Sequence, residues 1–185
     1  MENWRCGAVG LLVALALGGI APTQAFDIRD VQYFRANGYR SCQKCDLSGA
    51  NLQSADLSWA DLQGANLDVA DLQHVNLQHA DLTRAKLQYA YLAHADLGGA
   101  QLTHADLSWA TLEYANLQHT DLIWATLHLA NLRGADLQHT NLYGAKLTSA
   151  NLHGAKLQDA HLEEANLQDA DLEEANLQDA DLDGA

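Results

Sequence analysis

The sequence predicts an all-β chain: a solenoid of short extended pieces stacked coil on coil, fronted by a short helix. Three observations predict it. From Leu47 to Leu182 a leucine recurs every five residues, 28 in all. Two residues before each leucine stands a small residue, Ala in most repeats. The residue directly before the leucine is usually Asp or Asn, and the chain holds only one Pro and 13 Gly, too few for a loop-rich protein.

A period of five fits no straight element. On an α-helix each step of five rotates by about 140°, which scatters the leucines around the axis. On a continuous strand five is odd, so successive leucines alternate faces. Every leucine reaches one core only if the chain turns once per repeat. Asp, Asn and Gly suit such turns. Leu and Ala then point inward and the other three positions outward, giving a right-angled solenoid.

Before the repeats come two other elements. Residues 1–25 carry Arg5, an apolar run from Ala8 to Ile20, and small residues at Thr23 and Ala25. This pattern predicts a signal peptide cut after Ala25. The run is short for a spanning helix, so no stable membrane insertion is expected after cleavage. Cys6 leaves with the leader, and the mature charge stays -14, from 9 basic and 23 acidic residues. Residues 26–44 form a cap. Ile28, Val31 and Phe34 have helical spacing, Asp27 stands at the start and Gly38 at the end. The repeat region is 45–185.

The pattern "GANLQSADLSWADLQGANL" resembles the pentapeptide repeat family, and the resemblance covers Cys45 to Ala185. It implies a right-handed quadrilateral β-helix with four pentapeptides per coil of twenty, hence about seven coils, roughly 33 Å at 4.8 Å per stacked strand. Columns twenty apart agree: Gln78, Gln118, Gln138, Gln158 and Gln178 form one, interrupted by Gly98, which suggests a Gln ladder between coils. Thr120 and Thr140, two of the three exceptions in the small slot besides Val75, are also twenty apart.

Function must lie in the outward positions. Val69, Tyr89, Trp109 and Leu129 share one position at intervals of twenty and predict an exposed apolar stripe. Tyr91 lies beside it, and Ile123, Trp124 and Tyr143 are expected to extend it on an adjoining face. Contiguous apolar patches mark interfaces, and aromatics anchor them. The expected partner is a protein, with self-association the simplest case. His74 with His94, and His119 with His139, would stack and offer an alternative, a metal site. Residues 159–185 carry ten acidic residues and no basic one. Three readings stay open there: a block to end-to-end polymerisation, a weak cation site, or a solvated surface.

The charge of -14 repels phosphate backbones, so nucleic acid is not an expected ligand. No nucleophile elbow, phosphate loop or His-Glu metal motif is present, and no cofactor or catalytic residue is expected. The leading expectation is an exported, non-enzymatic scaffold in a periplasm, thylakoid lumen or cell exterior. Some family members mimic DNA and bind gyrase. That is the second reading, and the leader argues against it. In an exported chain Cys42 and Cys45 are the remaining thiols. Cys45 takes the small slot of the first repeat and Cys42 the leucine slot of the one before. A structural disulfide is expected, with two buried free thiols or a redox or metal pair as the alternatives.

Overall fold

The computed structural model describes Arg29, Asp30, Gln32, Phe34 and residues 38–185. The expected leader, and Ile28 and Val31 of the expected helix, lie outside the described residues. Arg29, Asp30, Gln32 and Phe34 are helical. Gly38 has φ +70°, and the Tyr39 N–H bonds the Phe34 carbonyl at 2.9 Å. The Tyr39 ring meets the Phe34 ring edge-on at 5.1 Å. A left-handed glycine, a backward bond spanning five residues and an apolar contact across it together make a Schellman ending. Phe34 is fully buried over the first coil, and the Asp30 carboxylate accepts the Asp46 N–H at 2.8 Å.

From Ser41 onward each repeat pairs with the repeat twenty residues later. Parallel bridges run from Ser41↔Asp61 through His161↔Asp181. Each side of the coil contributes one bridged residue, so the extended pieces are too short to be named strands.

The five N–H groups of a repeat explain its sequence. The leucine N–H reaches the next coil, as from Leu87 to Asp106 at 2.7 Å. The N–H two residues on does the same, as from Tyr89 to Ser108 at 3.0 Å. The alanine N–H closes the turn onto the leucine carbonyl, as from Ala90 to Leu87 at 3.1 Å. The next N–H reaches back one coil, as from Tyr91 to Ala70 at 2.9 Å. The N–H after the leucine finds no backbone acceptor in this scheme. The Asp or Asn side chain supplies it, as Asp106 Oδ1 to Ser108 and Asn116 Oδ1 to Gln118, at 3.0 and 3.1 Å. Each such bond is worth about 1 kcal/mol, and leaving a buried donor unpaired costs more. That selects Asp and Asn before leucine. Where Lys86 takes the slot, the Gln88 N–H turns to Asp68 in the previous coil at 2.9 Å.

Leucine and the small residue fill the interior with almost no exposure from Leu47 to Leu162, except the half-buried Ala55 near the mouth. In the coil 166–185, Leu167, Leu172 and Leu177 are half-buried and Leu182 is exposed, because a neighbour covers each on one side only. Thr120 and Thr140 sit in the small slot because their hydroxyls have carbonyl partners, Leu97 at 3.0 Å and Leu117 at 2.6 Å.

The glutamine ladder is not glutamine on glutamine. Gln78 donates to Asp96 at 2.5 Å, eighteen residues on, and Gln43, Gln63 and Gln88 treat Asp61, Asp81 and Asp106 alike. An amide gains more from a carboxylate than from another amide. The same logic orders Asp56, Asn76, Asp96, Asn116, Asp136 and Lys156 in one column. Asn76 and Asn116 donate to Asp56 and Asp96 at 3.0 and 2.8 Å, and Lys156 to Asp136 at 3.2 Å. Alternation keeps carboxylates from stacking directly.

Candidate functional site

The site follows from the corners. The second residue after each leucine has φ between +55° and +63° from Lys44 to Asp179 wherever it is not glycine. A positive φ at the third turn position, closed by the Leu–Ala bond, is the type II geometry. Glycine would take it freely. Most corners instead carry His, Tyr, Trp, Asp or Ser, at about 1 kcal/mol of backbone cost each.

Stacked rings offset that cost. Successive coils set corner side chains one above another, giving four columns named here by a member. The Tyr89 corner runs Gly49, Val69, Tyr89, Trp109, Leu129; the His94 corner runs Ser54, His74, His94, Tyr114, Gly134. The His119 corner holds Trp59, His79, Gly99, His119 and His139; the Trp124 corner holds Arg84, His104, Trp124 and Gly144. Tyr89 stacks on Trp109 at 5.9 Å, His74 on His94 at 5.1 Å and His94 on Tyr114 at 5.4 Å. Such pairs contribute about 0.5–1.5 kcal/mol, enough to balance the corner strain. Three columns place a glycine directly beyond a ring: Gly99 under His79, Gly134 under Tyr114 and Gly144 under Trp124. A Cβ at Gly134 would come within 2.6 Å of the Tyr114 ring.

Between the Tyr89 and His94 corners lies one flat side, residues 71–73, 91–93 and 111–113. Its edges are Val69, Tyr89 and Trp109 on one hand and His74, His94 and Tyr114 on the other. Tyr91 stands in the middle. Val69, Tyr89, Tyr91, Trp109 and Tyr114 are 44–55% exposed, so five of the eight large exposed apolar residues among the described residues share this side. Leu129 continues the Tyr89 corner but is half-buried.

The expected extension does not join it. Trp124 sits at the corner adjacent to the Tyr89 corner, and Ile123 and Tyr143 lie between the His119 and Trp124 corners, on the side opposite the aromatic one, because each step of five residues moves one corner around the coil. Trp124 and Tyr143 meet edge-on at 5.5 Å and satisfy each other. A hydrogen bond to Glu164, with burial and the charges of Glu164 and Glu163, pushes the Tyr143 hydroxyl above its ordinary pKa. The reading of the column position missed Tyr114. It shares the corner column with His74 and His94, so a ladder of aromatic rings was legible there.

The histidine pairs do not form chelates. His74 and His94 are parallel within 4°, and His119 and His139 within 5° at 4.9 Å. A ring nitrogen's lone pair lies in the ring plane. Two face-stacked rings therefore cannot aim at an ion between them.

Charge is uneven. Residues 82–112, which hold the heart of the aromatic side, carry two cations, Arg84 and Lys86, and two carboxylates, Asp96 and Asp106. Asp71 and Glu113 also stand on this side, residues 137–158 carry Lys146 and Lys156 and no carboxylate, and ten acidic residues lie in 159–185. At the mouth of the solenoid, Cys42 and Cys45 are buried, and a disulfide joins them with Cα atoms 5.4 Å apart. Among the described residues, no helix is long and apolar enough to cross a membrane.

The family model described as pentapeptide repeats matches in eight copies, over 41–68, 50–88, 65–103, 90–128, 127–163 and 155–185. None of the curated proteins compared matches the chain. Among solved structures, a pentapeptide repeat protein from the Arabidopsis thaliana thylakoid lumen is 31% identical, with TM-score 0.52, over 54% of this chain and 69% of that one. HetL, a pentapeptide repeat protein involved in heterocyst differentiation regulation from the cyanobacterium Nostoc, is 29% identical over 87% of this chain and 99% of that one, with TM-score 0.35. Twenty-residue coils, leucine core and family match coincide over the same residues: the chain belongs to the pentapeptide repeat family, whose members form right-handed β-helices.

Proposed function

We propose that this protein is an exported, non-enzymatic interaction scaffold whose aromatic side docks a second copy of the chain. One observation carries the reading: Val69, Tyr89, Tyr91, Trp109 and Tyr114 lie exposed on one rigid side. Rings held in stacks lose little side-chain freedom on docking, which lowers the cost of association. The occupant follows from charge. Two copies of a chain of net charge -14 repel overall, and the repulsion is weakest where charges balance, as over residues 82–112, or turn positive, as over residues 137–158. An antiparallel pair sets the aromatic sides together and the acidic 159–185 segments far apart.

Export is supported by the leader pattern, by two cysteines bridged at the mouth, and by the similarity to a thylakoid-lumen protein. Pentapeptide repeat proteins are generally structural or interaction proteins, which fits a filled core without a deep pocket.

Light scattering tests the docking. The mature chain is expected at twice its monomer mass at micromolar concentration. The pair Tyr91→Ser and Trp109→Ser is expected to return it to monomer with an unchanged circular dichroism spectrum. A wild-type chain that is monomeric at all concentrations overturns the second-copy reading. N-terminal sequencing tests export: the native protein should begin at Phe26, and a soluble cytoplasmic form beginning at Met1 refutes it.

A further inference from the structure

Away from the aromatic region, on the later coils, three kinds of ligand-bearing side chain converge. His153 follows Leu152, and Asp171 and Glu173 flank Leu172 in the next coil. One donor atom from each of the three lies within 4.8 Å of the other two. The backbone fixes them. Asn151 and Asp171 are bridged in parallel, Asn151 Oδ1 holds the His153 N–H at 3.0 Å, and Asp171 Oδ1 holds the Glu173 N–H at 3.0 Å. Glu174, at the left-handed corner with φ +59°, faces the His153 ring nitrogen that Glu173 does not.

The spacing separates an ion site from an ion pair. His153 Nδ1 lies 3.9 Å from Glu173 and Nε2 3.5 Å from Glu174. A charge-assisted hydrogen bond draws its atoms to about 2.7–2.9 Å. Two ligands on a metal with bonds of about 2.1 Å stand roughly 3.4 Å apart in a tetrahedron. The imidazole is half-buried, and each of its ring nitrogens has a carboxylate beside it, Glu173 or Glu174. The stacked histidine columns lack such a set.

We infer that His153, Asp171 and Glu173 form a binding site for a divalent transition-metal cation of the zinc class. One neutral imidazole with carboxylates suits Zn²⁺, Ni²⁺ or Cu²⁺ better than Ca²⁺ or Mg²⁺, which prefer all-oxygen shells. A dication also offsets the ten carboxylates of 159–185. The site lies on the same side of the solenoid as the aromatic residues, one column running from Tyr91 through Asn131 to Asn151 and Asp171, but on later coils than Tyr114.

Isothermal titration of the chelator-treated full chain with ZnCl₂ tests it. One equivalent is expected to bind at micromolar concentration. His153→Ala and, separately, Glu173→Gln should each weaken binding at least tenfold. His119→Ala, in a stacked pair, should leave it unchanged. All three positions are exposed or half-buried, and circular dichroism checks that each variant is folded. Three results overturn the site: no Zn²⁺ binding, His153→Ala binding as wild type does, or CaCl₂ giving the same affinity and stoichiometry as ZnCl₂, which marks a diffuse acidic surface.

Discussion

Gly144 and Gly154 offer a controlled pair for measuring what the corner rings contribute. Both occupy corners, with φ +62° and +65°. Alanine at either strains the backbone by about 1 kcal/mol. It also narrows the unfolded ensemble by the same amount at both, so that effect cancels in the comparison. The difference lies above the new methyl. At Gly154 it meets nothing within 4 Å. At Gly144 it would lie 2.5 Å from Cε3 and 2.7 Å from Cη2 of Trp124, so the indole must lift. The ring then loses its edge contact with Tyr143, about 0.5–1.5 kcal/mol. Trp124 is 44% exposed, so lifting also uncovers apolar area. Roughly 40 Å² at about 25 cal/mol per Å² adds about 1 kcal/mol. Gly144→Ala should therefore cost about 1.5–2.5 kcal/mol more than Gly154→Ala. Urea unfolding followed by circular dichroism and by tryptophan emission reads both. Equal midpoints for the two variants would show that the ring does not rest on Gly144. Trp124 would then be free for a partner, contrary to the division of the aromatics drawn here.

Three further outcomes follow from the polar columns and the cap. Asn116→Asp sets three carboxylates, 96, 116 and 136, in one stack and removes the 2.8 Å bond to Asp96; a loss of about 1–2 kcal/mol is expected, shrinking with added salt, and a salt-independent loss contradicts the repulsion. Burial pushes Asp81, Asp106 and Asp136 up, but hydrogen bonds from Thr83 and Gln63, from Ser108 and Gln88, and from Lys156 and Gln138 outweigh it and hold all three below 3.8. A depressed folded pKa gives stability that is present above the unfolded value and lost as pH falls through the folded one. Asp68, raised mainly by burial, runs the other way. Hydrogen bonds from Ser58 lower Asp56 as well. With four lowered carboxyls against one raised, the urea midpoint should fall below about pH 4, less steeply in Asp106→Asn; a midpoint constant to pH 2 is the contrary result. Reducing the Cys42–Cys45 bridge should cost about 2 kcal/mol, the closure entropy of so short a loop. Equal alkylation with and without reductant would show that no bridge forms.

The core was legible because its rule is local. A leucine every five residues, with a small residue two before it, leaves one way to bury both. Asp and Asn before leucine carried a second message: their side chains satisfy the one N–H that the coil leaves over. What resisted reading is adjacency around the coil. Column membership follows from counting by twenty, so Tyr89 and Trp109 came out together. Which columns share a side depends on the order of corners, so Trp124 and Tyr143 were joined to a side they do not border. Tyr114 was passed over because its column was read through its histidines. The glutamine column was visible, but its acceptors were not, since Gln78 reaches a carboxylate eighteen residues on, Gln138 one two residues back and Gln178 its neighbour Asp179, all off the period. His153 escaped because its partners come from two different slots of the repeat.

The docking side is tested most directly by its own tryptophan. The mature chain carries Trp59, Trp109 and Trp124. Variants that keep only Trp109, or only Trp59, with Phe at the other two positions, can be followed by emission across a dilution series. Trp59 lies at the corner diagonally opposite Trp109 and serves as the internal reference. Trp109 emission should shift to shorter wavelength as concentration and mass rise together, while Trp59 emission stays constant. A shift at Trp59 with none at Trp109 would place the contact on the other side of the solenoid.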